Sequence, residues 1–532
     1  MEADDEADYV VVGAGAAGSA LAGRLVAAGA SVLLIDQGGG DRDPMLRVPK
    51  AFFYTMRGDR YVARYPTGPI GPDGHTETWL RGAVLGGSTA INGMMWLRGG
   101  AADFDELAAL GNPGWGWDDV LPAYRAMESH VLGADERHGG DGPMPISLAP
   151  TDDPLTERIL AAGAELGWRS VADIEAADGD RIGPTPQNVR RGLRVSAYRA
   201  FVRRGPRLRV LTRARVGRVL IAGGRAGRRA DGVQVRHRGR LLSLRARREV
   251  ILCAGALETP LLLERSGIGD PARLVAAGVA PVVESPRVGE GLREQRGIGV
   301  QVRLGADLGP TLRLDTTPKR MREAVRYLAT RRGPISTGGY DLVAQFRSSS
   351  YGGETERPDV QGIIVPMALD LASPGLALAH HPGIFFLGYP IRPTTAGSIH
   401  VGGPDPDAPA VLSPRYLEEA AERAATLAAL RAGRALLGAA PLAGLVAEEE
   451  APGAAIESED DAVRHALAFG GGIYHAVGSA AMGDEAVLDA RLAVRGVEGL
   501  RVADLSALPF HVSASTAAPA ALVGWRAADL LL

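Results

Sequence analysis

The chain has 532 residues, 46% of them hydrophobic, and its 59 basic and 62 acidic residues leave a formal charge of -3. That length exceeds what one core usually supports, so two domains with a binding cleft between them are expected. The charge balance excludes a generally basic nucleic-acid-binding chain, and a single cysteine, Cys253, excludes an intramolecular disulfide or a multi-cysteine metal site.

The first residues, Met1 to Glu6, are acidic where a secretory signal would be basic, and no apolar run reaches the roughly 18 residues of a membrane span. A cytoplasmic protein with no membrane partner is the expectation. Tyr9-Val10-Val11-Val12 then reads as a buried strand that breaks into Gly13-Ala14-Gly15-Ala16-Ala17-Gly18, the G-x-G-x-x-G spacing. Helix formers fill Ser19 to Ala28, and Ser31 to Ile35 is a second strand that ends at Asp36. In such a βαβ unit Gly13 permits the turn, Gly15 lets backbone approach a pyrophosphate, and Gly18 lets the helix pack close to the strand. The helix amino terminus offers N–H groups to phosphate, and Asp36 can accept the ribose hydroxyls of an ADP moiety. These residues alone leave FAD and NAD both open.

Two further glycine-bearing segments follow, Gly82 to Gly93 and Gly255 to Gly269. Gly86-Gly87-Ser88 has no bulky side chain, which suits backbone N–H groups to a diphosphate or to the edge of a flavin ring; a glycine-rich surface loop is the alternative. Between them lies a G-x-R-x-S-like stretch at Gly192, Arg194 and Ser196, then an arginine-rich run to Arg248 whose alternation reads as a solvated face. Cys253 sits in the apolar run Val250 to Ala254 and reads as a buried strand position. Val288-Gly289 is followed by Gly291, Glu294 and Gln295, and Ile391-Arg392-Pro393 by Gly397. Glu448-Glu449-Glu450 and Glu457 to Asp461 either attract a cationic substrate or form a solvated loop and helix start. The chain closes with Tyr474 to Gly483, a strand-like Leu500 to Ser506, and Pro509 to Leu532.

Taken together, these segments resemble the flavin-site motifs of the glucose-methanol-choline (GMC) oxidoreductases, across nearly the whole chain. Two departures stand out: Ala83, where a basic or amide residue is usual, and Gly291, Glu294 and Gln295, where Asn, Asp and His are usual. The resemblance implies an α/β fold in which a Rossmann-like FAD-binding domain (1–145, 190–290 and 470–532) joins a substrate domain (146–189 and 291–469), an antiparallel sheet flanked by helices. It places cofactor contacts at Gly13, Gly15, Ala16, Ala17, Gly18, Asp36, Gly86, Gly87, Ser88, Asn92, Gly93, Met94, Val216, Ala254, Gly255, Asp504 and Ala514. Some members bind the flavin covalently through a histidine at the position of Ile91; isoleucine cannot, so the FAD is expected to be non-covalent.

By the same resemblance His475 is the base that faces the flavin across the substrate. An alcohol gives up hydride only as its hydroxyl proton leaves, and an imidazole suits that proton. The second polar residue matches Ser515, with His511 the alternative, while His381, His400 and His465 default to surface or packing roles. No metal site is expected. The implied activity is oxidation of the CH–OH group of a polyol, sugar, amino sugar or other alcohol, with O2 or another carrier as electron acceptor. A cyanohydrin lyase or photodecarboxylase on the same scaffold, and a NAD-dependent dehydrogenase, are the competing readings.

Overall fold

The computed structural model describes residues 6–224, 227–352, 357–371 and 377–532. A seven-stranded sheet runs in the order Leu208–Leu211, Val32–Ile35, Glu6–Val12, Arg240–Leu252, Gly227–His237, Ala214–Gly224, with Leu500–Val502 also paired to Arg240–Leu252. The long strand Arg240–Leu252 joins two kinds of pairing. Its first half is antiparallel to the hairpin, and its apolar second half lies parallel between Glu6–Val12 and Leu500–Val502. Val10, Val11, Val250, Ile251 and Leu252 are fully buried, as expected for parallel strands covered on both faces.

The helix of the βαβ unit is Ala16–Ala27, so it starts inside the glycine motif, three residues earlier than its apolar spacing suggests. Gly13 has φ +106°, and a Cβ there would lie 2.2 Å from the Cys253 carbonyl oxygen; at Gly18 it would lie 1.9 Å from the Gly13 oxygen. Both positions therefore require glycine. The carboxyl-terminal helix Ala517–Leu531 crosses Ala16–Ala27 at Gly524, where a Cβ would stand 2.0 Å from the Ala17 carbonyl. That close approach brings the end of the chain to the nucleotide turn.

A second seven-stranded sheet runs in the order Val446–Ala451, Ile298–Leu304, Gly383–Pro390, Val360–Val365, Leu342–Phe346, Arg181–Pro184, Arg169–Ser170, antiparallel except for its last pair. The helix Ala420–Gly438 packs on it through Ala429 and Gly433 against Phe386 and Gly388. Its strands all fall within 146–189 and 291–469, and those of the first sheet within 1–145, 190–290 and 470–532. Each sheet has its own apolar core. Among the described residues no helix is long and apolar enough to cross a membrane, and no group of three or more His, Cys, Asp or Glu is placed to hold a metal.

Candidate active site

One cavity runs from the carboxyl ends of Glu6–Val12 and Val32–Ile35 to the second sheet, and it gathers residues from both. At its nucleotide end are Gly13, Gly15, Ala16, Ala17, Asp36, Val216, Ala254 and Gly255. The Asp36 carboxylate accepts the Ala14 N–H at 2.8 Å and the Gly38 N–H at 2.7 Å. Burial pushes its pKa up to about 6. Each oxygen keeps a second lone pair for a ligand hydroxyl. A Cβ at Gly15 would meet nothing within 4 Å, so the turn is open on the cavity side. The first N–H groups of Ala16–Ala27 have no partner within the helix and supply the donors an anionic diphosphate requires. The residues present therefore fit the ADP half of FAD.

The middle of the cavity is formed by Gly87, Ser88, Asn92, Gly93 and Met94. This loop is held against the nucleotide turn, since the Gly86 N–H donates to the Ala14 carbonyl at 2.8 Å and a Cβ at Gly87 would lie 2.8 Å from the Gly15 Cα. Beneath it Arg194, 2% exposed, donates to the Thr89 carbonyl at 3.1 Å, Asn92 Oδ1 at 2.8 Å and the Asn92 carbonyl at 2.6 Å. Burial pulls its pKa down to about 9. Because Asn92 Oδ1 also accepts the Met94 N–H, the amide NH2 is the group left to donate into the cavity. Met94 is left-handed, φ +69°, a strained conformation for a side chain with a Cβ.

Asp504 lines the cavity, yet its carboxylate is saturated by the protein. One oxygen takes the Ser506 N–H and hydroxyl; the other takes the Gly255 N–H and the Thr259 hydroxyl. It ties the strand Leu500–Val502 to the helix Gly255–Arg265, so its contribution to a cofactor is the position of these backbones. Gly18, Gly86 and Ala514 do not line the cavity; they belong respectively to helix packing, the loop turn and the segment before Ser515. Ile91 lines it and is 4% exposed.

At the far end stand His475, Ser515, Met95, Tyr340, Ile363, Tyr389, Ile473 and Tyr474. The His475 ring approaches Gln295 Oε1 through Nδ1 at 2.7 Å. Gln295 donates its own amide to the Ile391 carbonyl, which turns Oε1 toward the imidazole. Nδ1 therefore carries the proton, and Nε2 is the ring nitrogen with a free lone pair. The backbone is fixed as well: the His475 N–H donates to Glu294 Oε1 at 2.7 Å, and His511 Nε2 donates to the His475 carbonyl at 2.9 Å. Tyr474, immediately before, is left-handed at φ +65°. Burial, then His511 and Arg81, hold the His475 pKa down to about 3, so the imidazole is neutral at physiological pH. Burial raises Glu294 to about 7 against the pull of Arg81, 3.5 Å away.

His511 thus touches His475 through its carbonyl and does not line the cavity, whereas Ser515 does, its Oγ 3.5 Å from the Met95 carbonyl. The segment before Ser515 is anchored by Asp103, which accepts the Ser513 N–H and hydroxyl, both at 2.9 Å. Most acids of the two runs meet cations: Glu448 pairs with Arg303 at 3.5 Å, Glu449 with Arg434 at 2.9 Å and Glu459 with Arg423 at 3.0 Å, while Glu450 lies 3.0 Å from the His381 ring. Asp461 caps the helix Glu459–Phe469. The solvated helix start accounts for these acids. Gln295, Arg194, Tyr340 and Tyr389 are the site residues that sequence reasoning missed. Gln295 and Arg194 lay in segments already marked by motif, while the two tyrosines carry no local signal.

The fold and this cavity define a dinucleotide-binding oxidoreductase scaffold. The N-terminal GMC oxidoreductase family profile matches residues 7–296 and the C-terminal one residues 393–524. An uncharacterised GMC-type oxidoreductase of Mycobacterium bovis is 35% identical over 545 residues, covering 99% of each chain. An oxygen-dependent choline dehydrogenase of Brucella anthropi is 31% identical over 542 residues, covering 99% of this chain and 96% of that one. Among solved structures, a pyridoxine 4-oxidase from Mesorbium loti superposes with a TM-score of 0.87 at 29% identity, covering 98% of both chains. A formate oxidase superposes with a TM-score of 0.92 at 26% identity, covering 99% of this chain and 98% of that one. The chain belongs to the GMC oxidoreductase family and is an FAD-binding enzyme.

Proposed function

We propose that the chain oxidises the CH–OH group of an uncharged alcohol to a carbonyl, with His475 as the base. Bound FAD supplies the hydride acceptor. His475 is suited to the proton transfer because its Nδ1–H is committed to Gln295, which leaves Nε2 unprotonated; this hydrogen bond is the observation that carries the reading. Asn92 and the backbone of Gly13 to Ala17 hold the cofactor, and Ile91 leaves it non-covalent. Ser515 positions the substrate oxygen.

The substrate class follows from what surrounds His475. Tyr340, Tyr389, Met95, Ile363 and Ile473 present aromatic and aliphatic surface. None of the carboxylates that line the cavity is left for a cationic substrate: Asp36 lies at the nucleotide end, Asp504 is saturated by the protein, and Glu258 is held by Arg265 and by the Tyr65 hydroxyl. An apolar or aromatic primary alcohol therefore fits better than choline, which the Brucella relative's name specifies, or an amino sugar. Anaerobic flavin bleaching by a panel of aryl, aliphatic, polyol and amino-sugar alcohols tests this. Bleaching by uncharged apolar alcohols is expected; bleaching by the cationic ones alone would overturn the class, and bleaching by none would overturn alcohol oxidation. Repeating the assay in air with peroxide detection tells whether O2 is the acceptor.

A further inference from the structure

The helix Thr317–Thr330 is inverted in its polarity. Its buried side chains are Glu323 and Tyr327, held by the Arg313 guanidinium at 2.9 Å and by a 2.7 Å hydrogen bond from the Tyr327 hydroxyl to the Gly192 carbonyl. Its apolar side chains point outward: Met321 is 62% exposed, Val325 60% and Leu328 64%. At about 100° per residue these three fall within roughly 60° of arc, a continuous stripe along the outer face. An ordinary surface helix buries such a stripe.

Basic residues flank it. From 319 to 332 the sequence has Lys319, Arg320, Arg322, Arg326, Arg331 and Arg332 against one acid, Glu323, which faces inward. Among the described residues no carboxylate lies within ion-pair distance of Arg320, Arg331 or Arg332.

We propose that the outer face of Thr317–Thr330 docks on an anionic lipid bilayer, with Met321, Val325 and Leu328 entering the headgroup–acyl boundary and the flanking arginines meeting lipid phosphates. An apolar stripe between rows of Arg and Lys is the pattern of an interfacial helix. Three side chains are far short of the roughly 800 Å² per partner that a specific protein interface buries, whereas a bilayer needs no matched partner. The lack of a spanning helix concerns a different geometry and does not bear on peripheral docking. The inference is independent of the reaction proposed above.

Vesicle co-sedimentation of the holoenzyme tests it, with phosphatidylcholine vesicles made with and without phosphatidylglycerol. The parent is expected to bind the anionic vesicles, to bind neutral ones weakly, and to be released by salt. Replacing Arg320, Arg322 and Arg326 together by Gln should weaken anionic binding about 10²-fold. The triple variant Met321→Ser/Val325→Ser/Leu328→Ser should weaken it about tenfold or more, with flavin content and melting temperature unchanged. Val325→Glu alone serves should the triple variant lose its flavin. No binding of the parent at low salt, or equal binding by parent and Val325→Glu, would overturn the proposal. Self-association that the serine variant abolishes, without vesicle binding, would overturn it too and assign the face to a second copy of the chain.

Discussion

Replacing Gln295 by Leu removes the acceptor of the His475 Nδ1–H while keeping a side chain of similar size in a fully buried place. The imidazole is then free to move its proton to Nε2, the nitrogen that must be bare to act as base. The hydrogen bond is a neutral one, with a net contribution of about 0.5 to 1.5 kcal/mol. With that preference gone the two tautomers share the population, so the base-competent fraction, and with it the rate constant of flavin reduction, falls about 2-fold. Gln295→Glu keeps the acceptor and adds a charge that favours the imidazolium; it should raise the His475 pKa from about 3 and bring an acid limb into the pH profile of flavin reduction that the parent lacks. Anaerobic stopped-flow reduction from pH 5 to 9 reads both effects. A parental rate in Gln295→Leu together with a parental profile in Gln295→Glu would show that this contact does not set the tautomer.

Acid or heat precipitation should release the flavin into the supernatant, because Ile91 offers no covalent link; yellow precipitate would contradict this. Arg194→Met removes the donor for three buried oxygens beneath the Asn92 loop, and at about 1 to 3 kcal/mol for an unsatisfied buried group it should lower both melting temperature and FAD retention; unchanged flavin content would remove Arg194 from the support of the cofactor. His138 is buried, and although burial opposes its charge, Asp173 at 2.7 Å and nearby Glu128 raise its pKa to about 9. A pKa raised above its ordinary value contributes stability that is fully present below pH 6.5 and lost as pH rises through 9. Melting temperatures of the parent and His138→Gln should therefore differ most near pH 6 and converge above 9; a constant difference would contradict the assignment.

The nucleotide site was legible because its signals are local. Glycine spacing, a strand end and Asp36 lie within one βαβ unit, and Gly13 and Gly18 stand where a Cβ would collide with backbone. The candidate catalytic end and the Asn92 loop were only partly legible, because their contacts span the chain: Gln295 meets His475 across 180 residues and Arg194 meets Asn92 across 102. Gln295 stands out in sequence only as a departure from the family pattern, and its role appears once the Arg293 and Val477 backbones pair. Tyr389 lies on the strand Gly383–Pro390 and Tyr340 in the loop that leads into Leu342–Phe346, and only the fold of the second domain turns both toward the cavity. Glu448 to Glu450 form no acidic patch, since they lie on a strand beside Arg303, Arg434 and His381.

The central claim is that His475 takes the hydroxyl proton. It is tested most directly by anaerobic stopped-flow reduction of His475→Ala, with an alcohol that bleaches the parent. The account predicts a protein that keeps its FAD and is reduced about 10²-fold or more slowly, the usual contribution of a positioned general base. A variant that keeps its FAD and is reduced at the parental rate would contradict it.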